Sequence, residues 1–169
     1  MSLTLYSATV PSFIRHLNAL SVLIDKAEAY AADKKFAPEA LLQARLFPDM
    51  FDFIGQVQTA TDQAKGGAAR TAGIDIPKFA DTEKTFPEVK ARIAKTVAFL
   101  ESIQPAQFDG RDDAEVSFPA GNVTRNMKAR DYMIGVVIPH FYFHCTTAYA
   151  LLRHNGLAIG KRDFFGPAR

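Results

Sequence analysis

The chain has 169 residues, with apolar and charged fractions of 48% and 22%, which suits one folded domain and excludes a disordered chain. Its 20 basic and 18 acidic residues are interspersed, which is not the pattern of a nucleic-acid-binding protein. The single cysteine excludes an intrachain disulfide, and there is neither a signal-peptide pattern nor an apolar run long enough to cross a bilayer. We therefore expect one cytoplasmic domain, residues 1–169, without a membrane or nucleic-acid partner.

Two long helices are predicted in the first half of the chain, because apolar side chains recur there at helical spacing. The first is expected over residues 10–33 and the second over residues 38–72. Gly66 and Gly67 interrupt the second helix with poor helix formers. We expect these glycines where another element crosses the helix closely.

A loop, a third helix and a hairpin are predicted next. Residues 74–84 are rich in turn formers, and Thr85 with Glu88 forms a capping box that begins the third helix. Residues 116–118 and 123–125 then flank a tetrad rich in turn formers. This pattern predicts a small β-hairpin between the third and fourth helices.

The fourth helix is expected over residues 127–154, and the tail over residues 157–169 is expected to be extended. Phe164 and Phe165 in the tail are too apolar to remain in solvent, so we expect them to pack on the helices or on a second subunit. Four long helices joined by connections of this length predict an all-α, up-down-up-down four-helix bundle. In that order the second and fourth helices run parallel.

A pair of histidines on the fourth helix is the strongest candidate for a site. His140 and His144 lie one turn apart, directly after Pro139, which is expected to kink or bulge the helix. We expect both to face the interior, where two imidazoles can bind Zn²⁺, Ni²⁺ or Fe²⁺. The alternative is that both are hydrogen-bonded core histidines. Gln58 or Asp62 on the second helix would have to supply the third metal ligand.

The sequence contains no recognisable motif for a catalytic nucleophile or for phosphate binding. Cys145 follows His144 directly but points about 100° away around the helix, so the two do not form a nucleophile–base pair. We expect Cys145 to be a small buried residue. No glycine-rich phosphate loop, serine elbow or paired-cysteine motif is found.

Three stretches carry a family resemblance: FPDMFDFIGQVQTATDQAK, DTEKTFPEVKARI and PHFYFHCTTAYALLRHNGLAIGKRDFFG, at residues 47–65, 81–93 and 139–166. They resemble an uncharacterised bacterial domain-of-unknown-function family placed among the DinB/YfiT-like four-helix bundles. The resemblance implies a bundle, frequent dimerisation and a metal pocket between the second and fourth helices. Members of the wider superfamily include thiol-dependent transferases and isomerases that hold a divalent metal with three histidines. Here no histidine lies between His16 and His140.

Two functions remain open from the sequence. We favour a non-catalytic bundle protein, a homodimer, that binds a small molecule or a protein partner in its cavity. The alternative is a divalent-metal-dependent enzyme of the thiol-transferase or hydrolase type. His140 and His144 would then hold Zn, Ni or Fe, with Asp62 or Gln58 completing the ligand set. Neither function identifies a catalytic residue.

Overall fold

The structure, a computed structural model, describes residues 3–167 and is mostly helical with one small antiparallel sheet. A 3₁₀ turn, Pro105–Phe108, precedes the sheet, and a π-helical turn, Met133–Val137, joins two α-helices into one continuous last helix. No helix within residues 3–167 is long and apolar enough to cross a membrane. The helices are α1 (Leu5–Lys34), α2 (Glu39–Leu42), α3 (Phe53–Ala72), α4 (Phe86–Ser102), α5 (Ala129–Tyr132), α6 (Ile138–His154) and α7 (Lys161–Phe165), and the strands are β1 (Glu115–Ala120) and β2 (Val123–Lys128).

The helix predicted over residues 38–72 is in fact two helices, α2 and α3, separated by an irregular segment. Pro48 lies in that segment, and a proline removes a backbone donor and disfavours helix in the residue before it. Asp52 then begins α3, because its side chain accepts a hydrogen bond of 2.9 Å from the N–H of Gly55. The capping box predicted at Thr85 and Glu88 is confirmed as the start of α4.

The predicted hairpin is confirmed. Strands β1 and β2 pair antiparallel from Glu115 opposite Lys128 to Ala120 opposite Val123, which leaves a two-residue turn. Gly121 in that turn has a φ of 64°, a value that glycine adopts without strain.

Five residues of the tail, Lys161–Phe165, form helix α7, although the tail was predicted to be extended over residues 157–169; residues 168–169 lie outside the part of the chain that the structure describes. Helix α7 forms because the carboxylate of Asp163 accepts a hydrogen bond of 2.8 Å from the N–H of Gly160. The ring of Phe164 packs at 5.3 Å from the ring of His16 on α1. The tail therefore packs on the helices of its own chain, which is one of the two arrangements predicted for Phe164 and Phe165; the other was packing on a second subunit. The homodimer stays a prediction.

The directions of the helices correct the predicted order. Along α3 and the last helix, Gln56 contacts His144 at one end and Arg70 contacts Tyr132 at the other. Residue numbers rise along one helix as they fall along the other, so these two helices are antiparallel. The prediction that the second and fourth long helices run parallel is therefore wrong.

Helix α1 runs in the same direction as the last helix. Ser12 hydrogen-bonds to Tyr142 over 2.7 Å, and the hydroxyl of Tyr30 lies against Gly156 beyond the end of α6. The first and last long helices are thus parallel neighbours. They could not be so in an up-down-up-down bundle, in which they would run in opposite directions.

Helices α3 and α4 are therefore parallel as well. Asp25 on α1 pairs with Lys90 near the start of α4, while Tyr6 packs on Phe108 just after the end of α4, so α1 and α4 are antiparallel. Since α1 is also antiparallel to α3, α3 and α4 share one direction. The chain must return along the bundle between them, and residues 73–85, named here the crossover segment, make that return.

The core lies between the four long helices and is built from large aromatic and aliphatic side chains. The rings of Phe13 on α1 and Phe141 on α6 pack 4.5 Å apart. One charged side chain is among the largest groups that are fully buried, the guanidinium of Arg92 on α4. A buried arginine in a bundle core requires several acceptors, and these lie beside the site described next.

Candidate ligand-binding cleft

The last helix changes its winding beside Pro139. That residue has no backbone N–H, and its ring displaces the carbonyl of Gly135, four residues earlier. The helix accommodates the proline with the π-helical turn Met133–Val137, which holds more residues per turn than the α-helix on either side. The bulge that the sequence predicts at this proline is therefore confirmed.

The π-helical turn aligns three side chains of the last helix: Tyr132, Val136 and His140. In an unbroken α-helix the first and third would stand about 80° apart around the axis. Because a π-helical turn rotates each residue by a smaller angle, the three lie closer to one line. All three line the same cleft against α3.

The interior face of α6 is out of phase with the predicted one. Phe141 and Cys145 are buried, whereas His140 is exposed and His144 is half-buried. The prediction that both histidines face the interior is wrong for His140, because the larger apolar ring of Phe141 fills the core and desolvating an imidazole costs free energy. Cys145 is buried as predicted, and its burial raises the pKa of the thiol.

His144 is held by an amide on α3. Its Nδ1 lies 2.7 Å from Oε1 of Gln56, whose Nε2 donates to the carbonyl of Phe51 over 3.1 Å. The second hydrogen bond orients the amide, so Nδ1 of His144 is the donor and Nε2 keeps its lone pair. Burial first, and then the charge of His140, lower the pKa of His144 to about 4.

This lowered pKa predicts a loss of stability in mild acid. In the unfolded chain His144 has the usual histidine pKa of 6.5, whereas in the folded chain its pKa is about 4. The free energy of unfolding is therefore highest above pH 6.5 and falls as the pH drops toward about 4. We expect a loss of about 1–2 kcal/mol, once solvent screening of a half-buried group is allowed for. Urea midpoints at about pH 7 and about pH 5 measure it.

The matched variant is His144→Gln, which can still hydrogen-bond to Gln56 but does not titrate. Its stability should depend less steeply on pH than that of the wild type over the same interval. His16, whose pKa is also lowered mainly by burial, contributes the same sign in both proteins and cancels in the comparison. Equal slopes for the two proteins would remove His144 as the cause.

The carboxylate of Asp62, predicted as a possible metal ligand, is paired with the guanidinium of Arg92. The Arg92 side chain is 1% exposed. Its Nη2 donates to Asp62 Oδ1 over 2.8 Å, Nη1 lies 2.8 Å from Asp81 Oδ1 and 3.2 Å from Glu83 Oε1, and Nε donates to Thr61 Oγ1 over 2.8 Å. This set of contacts, named here the Arg92 network, satisfies the buried cation.

Gln58 also serves the Arg92 network, since its Nε2 donates to Glu83 Oε2 over 2.8 Å. Burial disfavours the charged form of Glu83. The hydrogen bonds from Gln58, from its own backbone and from Arg92, together with the charge of Arg92, outweigh burial, so the pKa of Glu83 is lowered. The network fastens the crossover segment to α3 and α4, because Asp81 and Glu83 belong to that segment.

The histidine pair does not gather the ligands of a catalytic metal centre. The rings of His140 and His144 lie 6.4 Å apart between centroids, while Gln58 and Asp62 are engaged by the Arg92 network. Within residues 3–167 no group of three or more His, Cys, Asp or Glu side chains is arranged to hold a metal ion. Two imidazoles alone do not fit the three protein ligands of a catalytic zinc site.

His140 and Asp62 do share a cleft, which has a volume of about 710 Å³. Four parts of the chain form its walls: α3, the last helix, the crossover segment and the hairpin. We name it the basic cleft, after the lysine and arginine side chains among its walls. The lining residues are Asp62, Gln63, Lys65, Gly66, Arg70, Ile76, Pro77, Lys78, Phe79, Phe118, Pro119, Ala120, Arg125, Tyr132, Val136 and His140.

Arg70 and Tyr132 are in direct contact within the lining of the basic cleft. Nη1 of Arg70 donates to the Tyr132 hydroxyl over 3.2 Å, and the ring of Phe118 stacks 4.5 Å from that of Tyr132. Burial raises the pKa of Tyr132, against the opposing charge and hydrogen bond of Arg70. The hydroxyl therefore stays protonated at neutral pH and can donate a hydrogen bond into the cleft.

The helices and the small hairpin define a DinB-like helical protein. In fold the chain is similar to the crystal structure of a DinB family member protein from Shewanella denitrificans, with a TM-score of 0.91 and 40% identity over 97% of this chain and 93% of that chain. A family model, "Domain of unknown function (DUF1993)", matches residues 5–165, so the chain belongs to this family. No curated protein matches the chain. The predicted family, an uncharacterised DinB-like domain of unknown function, is confirmed.

The sequence reasoning did not find most of the basic cleft. Interspersed charges in a sequence indicate a solvated surface, so nothing singles out Lys65, Arg70 or Arg125, and no motif singles out Tyr132. One signal was available for the neighbouring network: Arg92 stands at a core position of the apolar stripe of α4, next to Ile93. A cation on such a stripe indicates a buried, fully paired group.

Proposed function

We propose that this protein binds a small molecule in the basic cleft. The observation that carries the proposal is the construction of the cleft: about 710 Å³, open, and walled by four separate parts of the chain. That volume lies within the range of small-molecule sites, which combine apolar walls with a few convergent polar groups. Contacts within the chain hold these walls in place, since the Arg92 network fixes the crossover segment and the ring of Phe118 packs the hairpin on Tyr132.

A reporter for occupancy can be placed in the cleft because the chain has no tryptophan. Phe79 lines the cleft, and Phe79→Trp keeps an aromatic face there. Phe143, 57% exposed on α6 and outside the lining, gives the matched control Phe143→Trp. Both variants would be titrated with a fragment library that contains neutral, anionic and cationic compounds.

We expect at least one class of fragments to change the emission of Phe79→Trp saturably and to raise the melting temperature of the protein. The same fragments should leave the emission of Phe143→Trp unchanged. If no fragment class distinguishes the two variants, the cleft is not a ligand site and the proposal fails.

The alternative proposal is a divalent-metal-dependent enzyme that uses the histidine pair of α6, His140 and His144. One observation favours it: the amide of Gln56 directs the lone pair of His144 Nε2 away from α3, as the partner of a metal-ligating histidine commonly does. His140, exposed one turn away, would be the second ligand. The missing third ligand counts against this proposal.

Elemental analysis of untagged protein tests the metal directly. Near-stoichiometric Zn, Ni or Fe in the wild type, lost in both His140→Ala and His144→Ala, would establish the site. Protein that is metal-free as purified and takes up none of the three ions on addition would end the enzyme proposal in this form.

A further inference from the structure

The ammonium of Lys65 forms part of the floor of the basic cleft. Lys65 is 5% exposed, and its Nζ donates to Asp62 Oδ1 over 2.6 Å while lying 4.3 Å from the centre of the Phe79 ring. An ammonium has three N–H donors, and these two neighbours do not use all of them. A buried cation with donor capacity left over favours an anion beside it.

Three further cations line the cleft without a carboxylate partner. Among the described residues, no carboxylate oxygen lies within 4.0 Å of the side-chain nitrogens of Arg70, Lys78 or Arg125. The guanidinium of Arg70 lies close against Gly66, where a Cβ would meet Nη1 at 2.7 Å, and it donates to Tyr132. Arg70 is thereby held toward the interior of the cleft.

The acidic groups near the cleft do not cancel this charge. Asp62 is the one carboxylate among its lining residues, and it is engaged by both Lys65 and Arg92. Asp81 and Glu83 belong to the Arg92 network behind it. The three carboxylates exceed Lys65 and Arg92, the two cations they pair with, by one negative charge. Arg70, Lys78 and Arg125 outweigh that charge, so the cleft keeps a net positive charge, which repels a cation and attracts an anion.

The remaining lining is apolar and partly aromatic. Phe79, with Ile76 and Pro77, forms the crossover wall, and Phe118 belongs to the hairpin wall. Phe118 is directly opposite Arg125 in the strand register, so the two side chains share one face of the hairpin. A simple inorganic anion has no surface with which to use these walls.

We infer that the ligand of the basic cleft is an organic oxyanion, with a carboxylate or phosphate head on a flat apolar body. The head lies against Lys65, Arg70 and the Tyr132 hydroxyl, and the body lies between Phe79 and Phe118. Lys78 and Arg125 attract the anion from the rim. This inference rests on the proposed function and narrows it to one ligand class.

Two dyes with almost the same apolar body separate charge from shape. One is 8-anilinonaphthalene-1-sulfonate, and the other is N-phenyl-1-naphthylamine, which lacks the sulfonate. Both would be titrated into the full chain by fluorescence. We expect the sulfonate dye to bind one to one and at least about tenfold more tightly, as a hydrogen bond to a charged group would give.

Charge-removing variants locate the head. Arg70→Gln should weaken the sulfonate dye about tenfold, and Arg125→Gln, at an exposed position, about two- to fivefold. The neutral dye should change little in either variant. Lys95→Gln removes the same charge from an exposed position on α4 outside the cleft and should leave both dyes within about twofold. Circular dichroism and melting temperatures confirm that each variant is folded.

Equal affinity for the two dyes, or sulfonate-dye binding that Arg70→Gln and Arg125→Gln leave unchanged, would overturn the inference. The proposal that the cleft binds a small molecule would still stand if neutral fragments change the emission of Phe79→Trp. The failure of the inference and the failure of the proposed function are therefore distinguishable.

Displacement of the bound sulfonate dye by small competitors then shows which charged head group the cleft prefers. Benzoate or phenyl phosphate should displace the sulfonate dye and benzyl alcohol should not. Equally effective displacement by inorganic phosphate would contradict a role for the apolar body.

Discussion

Arg92→Ala is expected to destabilise the protein by about 3–5 kcal/mol, the cost of removing one partner from a buried ion pair. Arg92 is almost fully buried, and the substitution leaves Glu83, whose side chain is 12% exposed, without a cation in contact among residues 3–167. It also leaves three carboxylates near one another and opens a cavity where the side chain packed. Urea unfolding with an unchanged slope would measure the loss.

Lys90→Ala is the matched control for this experiment. Lys90 lies on the same helix and also pairs with an aspartate, Asp25, but both side chains are partly exposed, at 34% and 52%. An exposed pair of this kind contributes about 0–1 kcal/mol. The assignment of Arg92 as a structural anchor would be untenable if the two alanine variants lost similar stability.

The loss of Arg92 should also be detectable locally, in the crossover segment. Since Asp81 and Glu83 hold the crossover segment through Arg92, the segment should open more often in Arg92→Ala. Limited trypsin digestion in native buffer should then cut sooner after Lys78 or Lys84 than in the wild type or in Lys90→Ala. Unchanged cleavage at these two lysines would argue that other contacts hold the segment.

Gly67→Ala is expected to destabilise the protein by about 1–3 kcal/mol, even though alanine is the better helix former by roughly 1 kcal/mol. A Cβ at residue 67 would lie 2.3 Å from Cγ1 and 2.8 Å from Cγ2 of Val137, in the π-helical turn of the last helix. Gly67 and Val137 are both buried, so either α3 or the last helix must move to make room for the added methyl group. Thermal or urea unfolding gives the change.

Gly135→Ala makes the same chemical change in the opposite environment. Apart from its chain neighbours and the local backbone of its own helix, nothing lies within 4 Å of a Cβ built at Gly135, so alanine should be neutral or stabilising by up to about 1 kcal/mol. Adding Val137→Ala to Gly67→Ala should cost less than Val137→Ala alone, because the two changes share one space. If both glycine variants shift stability by the same amount, the close approach of the helices is not what requires Gly67.

Much of the local structure was predictable from the sequence. The apolar spacing predicted α1, α3, α4 and the last helix, and the pair of glycines on α3 indicated a crossing, which Val137 makes at Gly67. The break between α2 and α3 is also encoded, in Pro48 and the N-cap Asp52, but the apolar stripe that continues through both helices hides it. The directions of the helices were not encoded locally, because a long connection can join parallel or antiparallel helices.

The basic cleft was harder to predict for a physical reason. Lys65, Arg70 and Arg125 come from α3 and from the hairpin, and only tertiary packing places them around one volume. In the sequence each is a charge among other charges, which is typical of a solvated surface. Chemistry concentrated in one helix, as at His140 and His144, is visible in a sequence, whereas a site assembled from four segments is not.

The crossover segment also has little length to spare. Arg92 lies at the level of Asp62, so the chain must travel about 25 Å along the bundle axis between the end of α3 and the start of α4, and about 10 Å sideways. Fully extended, residues 73–85 reach about 45 Å. Removing about five residues would use up the difference, while inserting several would cost little. Relatives that keep this fold should therefore vary in length here in one direction, by gaining residues and not by losing them.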